Sequence, residues 1–375
     1  MNPPNALRRG LLMLGLSQAA WGNPTPGAAP QKLALPVKTL VFPRDFGAHP
    51  DFGIEWWYIT GHANAGARTF GFQITFFRSR VAATQAMRSR FAAKQLIFAH
   101  AAVTDVQGKK LWHDQRIARS SGLAHDLATA SETDTLLRLS DWSLSRNTNS
   151  YQAKIPAQDF SIDLEFTETQ ALILQGQQGL SRKGPDPDQA SYYYSKPQLA
   201  VQGQITLQGQ AFRFNQAGLA KTGLSPGAAW LDHEWSQSLL HPSAVGWDWI
   251  GMNLLDGSAL TAFRLRTASG GSVWAGGSFR QGSSTRDFQP GEVIFTPLQS
   301  WKSPQSGTSY PVQWTVQTPE GTFTVKALLD NQELDSRNST GAIYWEGLSD
   351  LFNDQGQRVG RGYLEMTGYG APLRL

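Results

Sequence analysis

Residues 69–78 read TFGFQITFFR. Phe70, Phe72, Ile74 and Phe76 fall on one side of an extended chain, and Gly71, Gln73 and Thr75 on the other, because successive strand side chains alternate faces. That period of two predicts a half-buried strand or the wall of a barrel. Upstream, residues 54–60 (IEWWYIT) place Glu55, Trp57 and Ile59 on one face and Trp56 and Tyr58 on the other. A turn around Asn64 to Gly66 joins the two. Strand-like runs recur at 95–105, 136–145, 151–156, 160–167, 198–214, 247–254, 260–266, 272–279, 310–317 and 321–327. With 37 glycines, 11% aromatic and only 17% charged residues, the composition suits a turn-rich β-protein and argues against disorder or a coiled coil.

Two stretches interrupt this pattern. Residues 177–197 carry Gly179, Gly184, Pro185 and Pro187 and end in SYYYSKP, which reads as a loop of some twenty residues covering a mouth. A Gly/Pro-rich link at 218–227 then separates two halves of similar style. The simplest architecture is all-β, with two consecutive antiparallel barrels or sandwiches at residues 39–227 and 228–375. At the start, Arg8 and Arg9 precede a short apolar run and small residues. This is the layout of a secretory signal peptide (residues 1–22), followed by a Pro/Gly/Ala-rich tether (23–38). RRGLL also fits twin-arginine export, so the expected location is the periplasm or beyond. No later stretch suits a membrane helix, and membrane contact is expected to be peripheral at most. The net charge of +4 contains no basic run, which gives nucleic acid no footprint. Without cysteine there is neither a disulfide nor a thiolate metal site.

The densest chemistry lies at residues 230–249, WLDHEWSQSLLHPSAVGWDW. Asp232 and Glu234 share one strand face, His233 and Trp235 the other. Trp247 and Trp249 share a face with Asp248 opposite. Carboxylates among indoles are costly to bury unless paired or neutral, so the cluster suggests a site. Further carboxylates among aromatics are Glu55, Glu346 and Glu365, which read as rim or cross-strand pairs. Two carboxyls could flank a sugar, as in a glycosidase. Alternatively, one carboxylic acid kept neutral by apolar walls could protonate an isolated alkene, with aromatic faces stabilising the cation and a second carboxylate activating water. GLSPG at 223–227 matches a serine-hydrolase elbow only formally, since Pro226 has no N–H for an oxyanion hole. The seven histidines include no HExxH, and neither a phosphate loop nor a dinucleotide fingerprint occurs, so no metal or cofactor is expected.

HPDFGIEWWYITG, GFQITFFR, AHAAVTD, LQGQQGLSRKG, ASYYYSKPQL, WLDHEW, GWDWIGMNL, YWEG and GRGYLEMTGY together resemble the AttH/CrtC family across residues 49–370. The resemblance implies two lipocalin-like barrels with a hydrophobic pocket. It includes cofactor-free carotenoid 1,2-hydratases, and AttH-like secreted proteins that accompany lipid or lipoprotein ABC transporters and are described as predicted hydrolases. Carried onto this chain, it implies Asp232 first and Asp248 second as the acid, beside Glu234. Trp235, Trp247 and Tyr193 are implied as cation-stabilising groups, with Trp57, Trp249 and His233 as further ligand contacts. The exported leader favours the AttH-like branch. The expected role is therefore to enclose a long apolar isoprenoid or acyl ligand beside an export system, with hydratase and glycan hydrolase as alternatives.

Overall fold

The alternation at residues 69–78 forms the strand Arg68–Arg80, paired antiparallel with Ile54–Ala65 so that Ile59 faces Ile74 and Trp57 faces Phe76. The computed structural model describes residues 34–123, 125–214, 227–238 and 240–373. The signal peptide, most of the tether and most of the 218–227 link, with its GLSPG, lie outside them.

Fourteen strands make the first sheet. Its path runs from Lys110–Ser120 through Gln95–Asp105, Arg68–Arg80, Ile54–Ala65, Gly227–Ser236 and Ala190–Leu207, then on to Ala128–Ala130. The two ends of the path touch, so the sheet nearly closes into a barrel. Ten further strands make the second antiparallel sheet, in which Gly246–Leu254 lies between Ala259–Arg266 and Arg358–Met366, and Ala342–Phe352 follows. The lipocalin-like all-β architecture is as the sequence predicts. Gly227–Ser236, however, is hydrogen-bonded within the first sheet, so the chain changes sheets between Ser236 and Gly246 rather than at Gly227.

The long loop expected at 177–197 is also corrected. SYYYSKPQL belongs to the 18-residue strand Ala190–Leu207. Pro197 is accommodated by a register shift between Lys196 and Leu199, with Gln198 at φ 55°, so the missing N–H breaks no ladder.

Both barrels are filled by their own side chains. Trp57, Phe70, Phe72, Ile74, Phe76 and Trp235 pack in the first core, and Ile250, Met252, Trp314, Trp345 and Met366 in the second. A ligand chamber inside either barrel, as in a lipocalin, is not how this protein is arranged. The opposite, outward faces are apolar too, and they bury each other: Tyr58, Trp230, Trp249, Phe263, Leu348 and Tyr363 form one cluster between the sheets. Gly71 allows the closest approach, since a Cβ there would lie 2.7 Å from the Tyr363 hydroxyl and 3.0 Å from Leu348 Cβ. Contacts from His100 Nδ1 to the Tyr344 hydroxyl (2.9 Å) and from Thr104 to Gln332 (2.9 Å) pin the two faces together.

Candidate active site

Strand alternation on the two outward faces brings the chemistry to one place. Asp232 lies opposite Tyr58 on one neighbouring strand and Ser195 on the other, while Glu234 lies opposite Trp56 and Tyr193. In the second sheet, Glu346 pairs with Glu365, and Glu365 with Trp249. All of these side chains except Ser195, with Trp247, Phe263, Tyr344 and Lys183, line a cavity of about 100 Å³ between the sheets. Four carboxyls thus face an aromatic chamber whose one lining cation is Lys183.

Three of the four are held toward the neutral form. Burial is the main cause for Asp232, which is pushed up to about 7 against hydrogen bonds that favour its ionised form; the nearby Glu234 carboxyl pushes it further up. Those donors are the Ser195 hydroxyl and the Trp230 indole, both 2.6 Å from Oδ1, and the Tyr193 hydroxyl, 2.7 Å from Oδ2. Burial likewise raises Glu346 well above the carboxylate range, reinforced by Glu365 across the strand pair and opposed by the Tyr58 hydroxyl. The Glu346 Oε1 and the Tyr58 hydroxyl are buried neighbours without hydrogen-bond geometry to any partner. Glu365 is raised by burial and by Asp232 and Glu234, against the Trp247 indole N–H. Burial and mutual repulsion thus both bias the facing pair toward retaining a proton. At Glu234, Ser191 donates to the carboxyl at 2.5 Å and the Lys183 ammonium lies 3.0 Å away.

The structure divides the sequence-predicted residues between two faces. Asp232, Glu234, Tyr193, Trp247 and Trp249 line the cavity. Asp248 does not. Strand alternation turns it to the far side of its sheet, where it meets Arg264 at 2.7 Å, Arg266 at 3.6 Å and the Tyr369 hydroxyl at 2.9 Å. Its candidacy as an acid of this site is withdrawn. Trp57, His233 and Trp235 point into the first barrel, away from the cavity, for the same reason. There the His233 Nε2 lies 2.9 Å from Glu55 Oε1, and the ring stacks on Trp57 with centroids 4.5 Å apart. Burial lowers His233 to about 4 even against Glu55. Glu55 also meets His49 Nδ1 at 2.7 Å and Arg78 Nε at 2.7 Å. The His49, Glu55 and His233 ligand atoms lie within 4.8 Å of one another. Their lone pairs are already shared in hydrogen bonds and an arginine adjoins them, so this is a satisfied structural network.

Glu346 and Glu365, read from sequence as cross-strand pairing, do pair across strands, but inside the cavity. The available signal was a carboxylate flanked by aromatics in YWEG and GYLEM, the same composition as WLDHEW.

Among the described residues, the cavity lining contains no histidine, serine or cysteine, so a nucleophile–base pair for acyl transfer is not assembled there.

The sequence profile of the AttH-like family matches residues 33–369. No curated protein gives a significant match. The crystal structure of an AttH candidate from Nitrosomonas europaea is similar with 46% identity and a TM-score of 0.80, covering 90% of this chain and 99% of the other. Kievitone hydratase from Nectria haematococca shares the fold with 13% identity and a TM-score of 0.67, over 89% of this chain and 94% of its own. With its profile matched over nearly the whole described length, the chain belongs to the AttH-like family.

Proposed function

We propose that the protein adds water to, or removes it from, an isolated carbon–carbon double bond without a cofactor, using the carboxyls between the barrels. The observation that carries this reading is the set of buried carboxyls, Asp232, Glu346 and Glu365, all raised above the usual carboxylate range in an aromatic chamber. The fold shared with kievitone hydratase is compatible with it. A carrier for a long lipid needs no poised acid. A glycan hydrolase would want its two carboxyls in an open groove, whereas Asp232 and Glu346 are buried.

Glu346 is the proton donor. Its carboxyl is buried beside Tyr58 and held toward the neutral form. The proton and the alkene π electrons form a new C–H bond, leaving a cation that the Trp249, Trp56 and Tyr193 rings stabilise. Water attacks the cation and gives its proton to Asp232, whose three hydrogen-bond donors fix the carboxylate for that role. Asp232, taken from sequence as the acid, thus acts as the base. Tyr58, opposite Asp232 and beside Glu346, is placed to return the proton. Lys183 keeps Glu234 paired and out of the exchange.

The test is incubation with an unsaturated isoprenoid extract in heavy-oxygen water, followed by mass spectrometry. A product carrying one labelled oxygen is expected, slowed about a hundredfold or more in Glu346→Gln and Asp232→Asn. A labelled product formed equally well by both variants contradicts the assignment.

A further inference from the structure

A second cavity, about 510 Å³, adjoins the first and shares Tyr193 and Phe263 with it. Lys183 stands at the neck. Its ammonium lies 4.7 Å from the Tyr193 ring centre, 4.3 Å from that of Phe263 and 3.0 Å from Glu234. The two chambers differ in chemistry. The inner one is aromatic and acidic. The outer one has both an arginine, Arg182, and a carboxyl, Asp287, in its wall, so neither sign of charge prevails. Arg182 Nε is buried there without a hydrogen-bond partner. Asp287 accepts the Gly176 N–H at 3.1 Å and is otherwise desolvated. Trp274, with the Arg182 guanidinium 5.7 Å from its ring centre, supplies a flat wall. Gly276 lies opposite Phe263 in register, and a Cβ there would come within 3.1 Å of the Phe263 ring. The missing side chain keeps the space beside the neck open.

We infer that the outer cavity binds the uncharged, oxygen-bearing half of an amphiphilic substrate whose unsaturated apolar end reaches past Lys183 into the acid chamber. Only the inner half of this statement rests on the hydration reading. About 100 Å³ accommodates a short branched alkenyl group and little more. A wholly hydrocarbon tail would leave the buried Arg182 Nε–H without a partner and cover an Asp287 carboxyl whose one hydrogen bond is from the Gly176 N–H. A hydroxyl can accept from the Arg182 N–H or donate to the Asp287 carboxyl, and a carbonyl can accept from Arg182. An anionic head would face the Asp287 carboxyl as well as Arg182, and a cationic one Arg182 as well as Asp287, so neither gains from the pair.

Binding separates this inference from turnover. The experiment is calorimetric titration of the full chain, as wild type and as the slow Glu346→Gln variant. The probes are geraniol, the hydrocarbon of the same skeleton without its hydroxyl, and geranyl phosphate. Geraniol is expected to bind about tenfold more tightly than either other probe, the equivalent of one good polar contact. Gly276→Leu, which fills the neck side of the outer cavity, should bring geraniol down to the level of the hydrocarbon, and so should Arg182→Leu. Equal affinity for alcohol and hydrocarbon in the wild type, preference for the phosphate, or no binding of any probe overturns the inference, whether or not the variants fold. A retained preference for geraniol without labelled product in heavy-oxygen water would remove the hydration reading and leave the binding site standing.

Discussion

Asp232 shows how a single position can be legible in type while its surroundings are not. The alternation in WLDHEW separated Asp232 and Glu234 from His233 and Trp235, and the register agrees. Which of the two faces carried the chemistry was not readable, because both are apolar and both are buried. The His233 face became a packed network around Glu55, and the Asp232 face became the cavity wall. Burial that raises Asp232 from 3.8 to about 7 has a consequence for stability. A carboxyl with a raised folded-state pKa favours the native state fully below its unfolded value, and that contribution is lost as pH rises through the folded value. Between about pH 4 and pH 7 the wild type should therefore lose stability, by roughly 1.4 kcal/mol for each unit of displaced pKa at most. Asp232→Asn, which cannot ionise, should show a flatter profile over that window. Urea midpoints for both proteins at about pH 5 and about pH 8 check this; parallel profiles would mean that Asp232 is not desolvated.

At the scale of elements, strands with clean alternation and turn residues at their ends were readable, the run at 310–317 with its Pro311 included, and the first half of Ala190–Leu207 was not. SYYYSKP looked like a loop because Pro197 and the preceding Gly184, Pro185 and Pro187 carry turn signals. The bulge that absorbs Pro197 depends on tertiary pairing with Gly227–Ser236, which local sequence does not specify. Glu346 and Glu365 illustrate the same limit. Nineteen residues apart, they become one site only through the register of Ala342–Phe352 on Arg358–Met366. The docking of the two sheets depends equally on one element. Gly71 sits in the Arg68–Arg80 strand where its lack of side chain admits Tyr363 and Leu348. Gly71→Ala must push the sheets apart locally, and overpacking of this kind costs about 1–3 kcal/mol. A thermal melt should show that loss, with a smaller loss in Gly71→Ala combined with Tyr363→Phe, which removes the hydroxyl nearest the new methyl. Unchanged melting of the single variant would indicate looser contact between the sheets at this point.

Across the whole molecule, two barrels with filled interiors use their outward faces to make a compartment that neither barrel has alone. The first supplies Asp232, Glu234, Tyr58 and Tyr193, the second Glu346, Glu365, Trp247 and Trp249. The family resemblance made the barrels legible, and with them the expectation of an apolar ligand inside one. The inter-sheet location was not legible, because it follows from which apolar face of each strand meets the other sheet. The compartment buries Asp232, Glu234 and Glu346 beside Glu365, and four carboxyls with one cation among them disfavour one another's ionisation. That proton retention is the central claim, and it needs no substrate to be examined. The infrared spectrum of the wild type at neutral pH should contain the carbonyl stretch of a neutral carboxylic acid, and Glu346→Gln should lose or shift it. A wild-type spectrum without any such band at neutral pH would contradict the account.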